Sequence, residues 1–296
     1  MTVDGLYLLE NCYDRHAWQS PDGRRKVQLF AALVPASCRS VLDVGGGTGW
    51  VTIGMRKKGC VVTLDSSPAS LGHAPDPRVL GDVASLPFAD RSFDLVMSSQ
   101  VLEHLSDRVF DRARIEMGRV ARKCLLVSVP YREDLGRRFV RCGACGAEFH
   151  RDHHLRSFAE HDLPCLFEGW LLAEWHVFGA LCEGVGINMP PVSSPSAGGR
   201  DIPFASELTV CPACGKQGGG PSPLSQARRR SFLKRVVSFS RRRLAAILPA
   251  PVAYRHAGFL PQSVVPYWIA ALYLRKGSAS AVDGDVSEFV RDGRDP

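Results

Sequence analysis

The segment Val41-Leu42-Asp43-Val44-Gly45-Gly46-Gly47-Thr48-Gly49 constrains the fold more than any other part of the chain. Its first four residues read as a short buried strand. The glycines at 45, 47 and 49 then let the backbone turn tightly and come close to a ligand. A helical stretch runs to about Lys58-Gly59, and residues 61–64 form a second strand that ends in Asp65. Val79-Leu80, residues 93–97 and residues 124–129 read as further strands, with a helix over residues 107–122. Strands alternating with helices at this spacing predict βαβ units and a parallel sheet.

The rest of the chain departs from that alternation. Residues 6–35 read as mostly helical, interrupted by the polar turn Ser20-Pro21-Asp22-Gly23. Past Tyr131, residues 132–163 are polar and concentrate Cys and His, the mark of an insertion. Residues 171–178 and 267–274 read as two more strands, and residues 190–203 as a loop. Within residues 222–248, Phe232, Leu233, Val236, Val237, Leu244, Ile247 and Leu248 recur at helical spacing. With 296 residues, 45% of them hydrophobic, the chain can build one large core or two small ones, which excludes wholesale disorder.

The glycine loop excludes two common ligand classes. A dinucleotide fingerprint needs Gly at position 50, where this chain has Trp50, and a Walker loop needs Gly-Lys-Ser/Thr, which is absent. Asp43 at the entrance would repel a pyrophosphate. The pattern D-x-G-x-G-x-G, with an acid closing the next strand, instead resembles the class I S-adenosylmethionine-dependent methyltransferases, nearest to their type 11 group. Gly81-Asp82-Val83, Ser85-Leu86-Pro87-Phe88, Ser92-Phe93-Asp94-Leu95-Val96 and Val101-Leu102-Glu103-His104-Leu105 continue the likeness, which covers residues 40–130. The resemblance implies an α/β fold: a Rossmann-like, seven-stranded, mostly parallel sheet with helices on both faces. It implies S-adenosyl-L-methionine as cofactor, with Asp43, Gly45, Gly47 and Gly49 at its methionine end and Asp65 accepting from both ribose hydroxyls. Asp82 and Val83 would meet the adenine, and Ser99 would line the same site. Nucleobase amino-methyltransferases carry Asn/Asp-Pro-Pro-Tyr/Phe after the fourth strand and cytosine-C5 enzymes a Pro-Cys. This chain has Ser98-Ser99-Gln100-Val101 there, which argues against nucleobase acceptors.

Cys142-Gly143-Ala144-Cys145-Gly146 and Cys211-Pro212-Ala213-Cys214-Gly215 are two knuckles, each turning a pair of thiolates toward one metal. Cys142, Cys145, Cys211 and Cys214 together predict a closed tetrahedral site and a structural Zn2+ in a zinc-ribbon-like insertion. In a rival set, His150, His153 or His154 replaces one Cys pair. Cys12, Cys38, Cys60, Cys124, Cys165 and Cys182 lie mostly in apolar settings and read as core. The run His150-Arg151-Asp152-His153-His154 follows the first knuckle. A hydroxyl acceptor must lose its proton, and His titrates nearest neutrality, so His153 or His154 is the candidate catalytic base. The competing reading has them packing the module or binding its metal. His104 reads as a helix-start feature.

Lys and Arg number 37 against 30 acids, for a net charge of +7, and residues 208–280 carry twelve of these bases and no acid. The basic helix in this stretch, with Tyr267 and Trp268 beside it, suits an anionic membrane surface; RNA and plain solvent are the alternatives. The start, with two acids and no basic region, is not a secretory signal. The uncharged run over residues 257–274, broken by Pro261 and Pro266, reads as a loop feeding a strand and not as a membrane span. A reducing cytoplasm, with peripheral contact at the inner membrane face, fits these features. The expected organisation is a helical lid (residues 1–36), a cofactor-binding core (37–131), the zinc-ribbon-like insertion with the sixth strand (132–220), the basic helix and last strand (221–276) and a disordered tail (277–296). The expected activity is O-methylation of a sugar, lipid-linked glycan or natural-product-type acceptor. An RNA methyltransferase and a non-catalytic cofactor-binding protein are the other classes.

Overall fold

The computed structural model describes residues 21–179, 181–182, 210–216, 264–265 and 267–276. The apolar runs become strands β1 (Ser40–Val44), β2 (Cys60–Asp65), β3 (Arg78–Leu80), β4 (Phe93–Ser99) and β5 (Ala121–Pro130). Two short strands, β6 (Phe139–Arg141) and β7 (Glu148–His150), pair as an antiparallel hairpin. Then come β8 (Trp170–Phe178), the antiparallel pair β9 (Leu181–Cys182) and β10 (Val264–Val265), and β11 (Trp268–Arg275).

Seven of these strands form one sheet in the order β3-β2-β1-β4-β5-β11-β8. The first five run parallel, and β11 lies antiparallel to both β5 and β8. That reversal delivers the start of β11 to the sheet edge where β5 ends, with Trp268 opposite Pro130. The parallel strands therefore open their carboxyl ends, and β11 its amino end, onto one edge, where open α/β sheets bind ligands.

Helices α1 (Pro21–Leu33), α2 (Trp50–Met55), α3 (Pro68–Leu71) and α4 (Asp107–Val120) cover the sheet. Alternate strand residues face opposite layers. On one side Leu42, Val96, Leu125 and Val127 pack with Ala113, Met117 and Val120 of α4. On the other Val41, Leu95, Met97 and Leu126 pack with Phe30 and Leu33 of α1 and Val51 and Met55 of α2.

Three expectations need correction. Pro21-Asp22-Gly23 begin α1 instead of breaking it, since proline's fixed φ suits a first helical turn. Helix α4 ends at Val120 and β5 starts at once with Ala121, so Arg122 belongs to the strand. Cys38 and Cys124 are buried, but Cys60 and Cys165 are exposed and are not core. The uncharged run ends in β11, and among the described residues no helix is long and apolar enough to cross a membrane. Residues 1–20, the loop at 190–203, the basic helix at 222–248, the tail at 277–296, Cys12 and the Cys182 side chain lie outside the described residues.

Phe30 is 0% exposed at the centre of the second layer, so Phe30→Ala is expected to cost about 3–5 kcal/mol, against about 0.5 kcal/mol or less for Ile115→Ala at 68% exposure. Urea unfolding midpoints at constant m-value measure both.

Candidate active site

The turn leaving β1 is pinned to β2. The Gly45 and Gly46 amides donate to the Leu64 carbonyl at 2.8 and 3.1 Å. The Asp65 carboxylate accepts from the Gly47 amide through one oxygen and from the Ser67 amide through the other, both at 2.8 Å. Gly45 and Gly49 have φ of 69° and 75°. A Cβ at Gly45 would stand 2.4 Å from Val101 Cγ2, and one at Gly49 2.4 Å from Pro75 Cδ. Only glycine fits this cradle. Asp43 is buried behind the turn, where the Thr52 hydroxyl donates to it at 2.7 Å. Burial outweighs that bond and pushes the Asp43 carboxyl up to about 7, and it raises Asp65 as well against its backbone donors.

The Gly81 amide donates to the Asp65 carbonyl at 3.0 Å and so brings the next turn alongside. Asp82 there is exposed and accepts from its own Ala84 amide at 2.8 Å, while Val83 packs against the core. Ser99, at the end of β4, has a buried hydroxyl without a hydrogen-bond partner. A glycine cradle, acids at the ends of adjacent strands and an orphaned hydroxyl fit a small polar ligand with amino and hydroxyl groups, as S-adenosylmethionine is.

Beside this turn lies a buried polar cluster. Glu133, three residues past β5, is bound by His154 Nδ1 and sits 3.2 Å from Arg138 Nε and 3.7 Å from His150 Nε2. Arg138 also holds Asp152 at 2.8 Å. The His150 ring stacks on His154 with centroids 5.0 Å apart, and His104 meets His154 edge-on at 4.7 Å. Glu103 is fully buried in the 3-10 turn Leu102–His104, and burial raises its carboxyl to about 7. Burial holds His104 near 3 and His150 near 4, with the neighbouring His154 adding to both, so both rings are neutral at physiological pH.

The two candidate bases separate. His154 is in this cluster. His153, with φ of 59°, stacks on Phe149 at 5.4 Å and hydrogen-bonds the backbone of Val210, which puts it against the cysteine knuckles. Tyr267 and Trp268 are half-buried. Tyr267 lies under Arg138, and Trp268 lies against Phe178 with Lys26 Nζ 4.0 Å from its ring.

The four knuckle cysteines converge, with sulfur atoms within 4.8 Å of one another. Cys142 and Cys214 are 3.7 Å apart, and Cys145 and Cys211 3.6 Å. The two turns are built alike: the Gly146 amide donates to the Cys142 carbonyl at 2.9 Å, and the Gly215 amide to the Cys211 carbonyl at 2.8 Å. Amides of Ala144 and Cys145 lower the Cys142 thiol to about 6. Among the described residues this group of four holds no histidine.

Residues 42–124 match the family model described as a methyltransferase domain. Over these residues the chain is similar to methyltransferase domains. An uncharacterized methyltransferase of Schizosaccharomyces pombe is 32% identical over 128 residues, 37% of this chain and 44% of that protein. The demethylmenaquinone methyltransferase of a Roseiflexus species is 36% identical over 125 residues, 37% of this chain and 51% of that protein. The chain thus spans about half the length of these curated relatives. A solved S-adenosylmethionine-dependent methyltransferase from Archaeoglobus fulgidus aligns over 88% of this chain and 96% of its own, at 14% identity and a TM-score of 0.47.

Sequence reading missed Glu133 and gave Glu103 no role. An acid just past the end of a central strand and the spacing His150-x-x-x-His154 were the available signals.

The methyltransferase domain keeps Asp43 protonated at pH values where the unfolded chain has ionised it. Its contribution to stability therefore falls as pH rises from about 4 to about 7. Asp43→Asn is expected to lose ground to wild type at pH 5 and to gain on it at pH 8, as measured by urea unfolding at both.

Proposed function

We propose that the chain is an O-methyltransferase whose acceptor is a hydroxyl of a sugar, lipid-linked glycan or natural-product-type compound. The observation that supports it best is the Glu133–His154 pair at the edge that carries the glycine cradle. A carboxylate on Nδ1 fixes ring orientation and tautomer, so that Nε2 is the nitrogen that meets the acceptor.

When bound, S-adenosylmethionine supplies a methyl group on a sulfonium. What remains for the chain is to align the acceptor oxygen and relieve it of its proton. Asp43, Gly45, Gly47 and Gly49 hold the methionine end of the cofactor, Asp65 the ribose, Asp82 and Val83 the adenine, and Ser99 the inner wall. His154 is the residue through which the acceptor hydroxyl loses its proton, and Glu133 positions it. His153 is structural.

Cys142, Cys145, Cys211 and Cys214 hold a structural zinc ion. Sulfur separations of 3.6 and 3.7 Å are close to the edge of about 3.8 Å in a tetrahedron with zinc–sulfur bonds of about 2.3 Å. Zinc there ties residues 210–216 to the β6–β7 hairpin, whose last residue is His150. The acid-free stretch at residues 208–280 draws the enzyme to an anionic cytoplasmic membrane face, where a lipid-linked acceptor is presented.

Methyl label from S-adenosylmethionine, followed into a fractionated extract, is expected in lipid or carbohydrate. Acid-precipitable, nuclease-sensitive label would instead make RNA the acceptor. His154→Ala is expected to lower kcat by roughly 10²–10⁴-fold with zinc content unchanged, and His153→Ala to keep most of the turnover. Loss of zinc from His154→Ala would assign that residue to the module and end its catalytic role.

A further inference from the structure

Glu103 is 0% exposed, and neither of its carboxylate oxygens has a hydrogen-bond partner in another residue. A carboxylate in that state is costly to bury unless a positive charge meets it. One oxygen of Glu103 and one ring nitrogen of His154 lie within 4.8 Å of each other. The backbone fixes this approach, since the amide of Leu155, the residue after His154, donates to the Glu103 carbonyl at 2.7 Å. Burial raises the Glu103 carboxyl to about 7, and among side chains it is His154 that opposes this rise most strongly.

We propose that Glu103 is a positioning residue that stabilises the positive charge His154 acquires when it takes the acceptor's proton. The inference deepens the O-methyltransferase reading and rests on it for the role of His154. The acceptor O–H bond breaks with its electron pair left on oxygen, the proton binds the Nε2 lone pair, and the ring is a cation until it passes that proton to water. A neutral ring offers Glu103 no charge, so the interaction forms only as the reaction proceeds and contributes to kcat instead of to acceptor binding. Glu103 is shut off from solvent, and little screens the two charges from each other.

The other charged and titratable groups around His154 act differently. Glu133, past β5, binds Nδ1 but shares its charge with Arg138 at 3.2 Å, and Arg138 also holds Asp152 at 2.8 Å. His150, on β7, and His104, beside Glu103, are neutral at physiological pH, and burial lowers His153 on the cysteine side. Tyr267, just before β11, keeps its proton because burial raises its hydroxyl to about 12. Lys26 of α1 acts on Glu103 less strongly than His154 does. Glu133 and Asp152 thus have Arg138 in common, whereas the charge that acts most on Glu103 is that of His154.

The test follows the imidazole signals of histidine-labelled full-length protein by NMR across pH, with His154 assigned by the signal missing in His154→Gln. Glu103→Gln is expected to lower the pH at which His154 takes up its proton by about one unit or more, a roughly tenfold loss of proton affinity, and Glu103→Asp to restore most of it. Retained dispersion of the other histidine signals shows that the variants are folded. Coupling is reciprocal, so His154→Gln is expected to raise the midpoint of the Glu103 carboxyl by the same factor, which reads the interaction with Glu103 itself intact. A His154 midpoint unmoved by Glu103→Gln, or lowered as far by Glu103→Asp, overturns the proposal, as does a Glu103 midpoint unmoved in His154→Gln. Methyl label that still reaches the extract with His154→Ala would overturn the base reading, and with it the use made of the coupling, while the midpoint shift stands. Label lost with His154→Ala beside an unmoved midpoint would keep the base and remove Glu103.

Discussion

One carboxylate holds together the sheet edge at which the parallel strands end. Asp65 ends β2 and accepts the Gly47 amide through one oxygen and the Ser67 amide through the other. It thereby fixes the β1 turn and the start of α3 relative to each other. The Asp65 carbonyl takes the Gly81 amide and adds the turn after β3 to the same knot. Three loops that share no secondary structure become one rigid edge, because backbone amides leaving parallel strands must find acceptors and a strand-end acid supplies them.

Holding that edge means keeping acids out of water. Asp43 and Asp65 are buried among main-chain donors and a threonine hydroxyl, and both carboxyls titrate higher than usual as a result. Glu103 lies in the same position electrostatically, with a further contribution from the nearby Lys26 that opposes its burial. Side chains so placed favour neutralisation by a proton, a cation or a polar ligand, which is the property expected of a binding edge and not of a purely structural core.

The insertion after β5 brings Glu133, His150 and His154 together. Its β6–β7 hairpin packs Val140 and Phe149 against Cys142 and Cys211, a small core with sulfur at its centre. The strand that carries Phe149 ends in His150, and the following turn aims His153 at the cysteine side and His154 at the sheet edge. A positive φ at His153 makes that split possible, because it turns successive side chains in different directions. Arg156 then donates to the Leu102 carbonyl at 3.0 Å, and the Leu155 amide to the Glu103 carbonyl at 2.7 Å, which docks the insertion on the VLEHL segment.

Local pattern determined the strands, the glycine cradle and the cysteine pairs, because each depends on residues within a few positions of one another. Alternation of short apolar runs with helices was enough for the order β1 to β5. Glycines at 45 and 49 announced backbone that no side chain fits, and each C-x-x-C pair announced its own turn. Sequence could not say which histidine faces the site, since His153 and His154 are neighbours and only the turn between the hairpin and Leu155 distinguishes them. Nor could it pair Glu133 with His154, or Glu103 with His104 and His154, across separations of about twenty to fifty residues. Those meetings depend on the antiparallel β11 closing the sheet and on the hairpin folding back over its edge. Long-range packing decides which polar groups are buried together, and burial is what turns them from ordinary surface residues into a site.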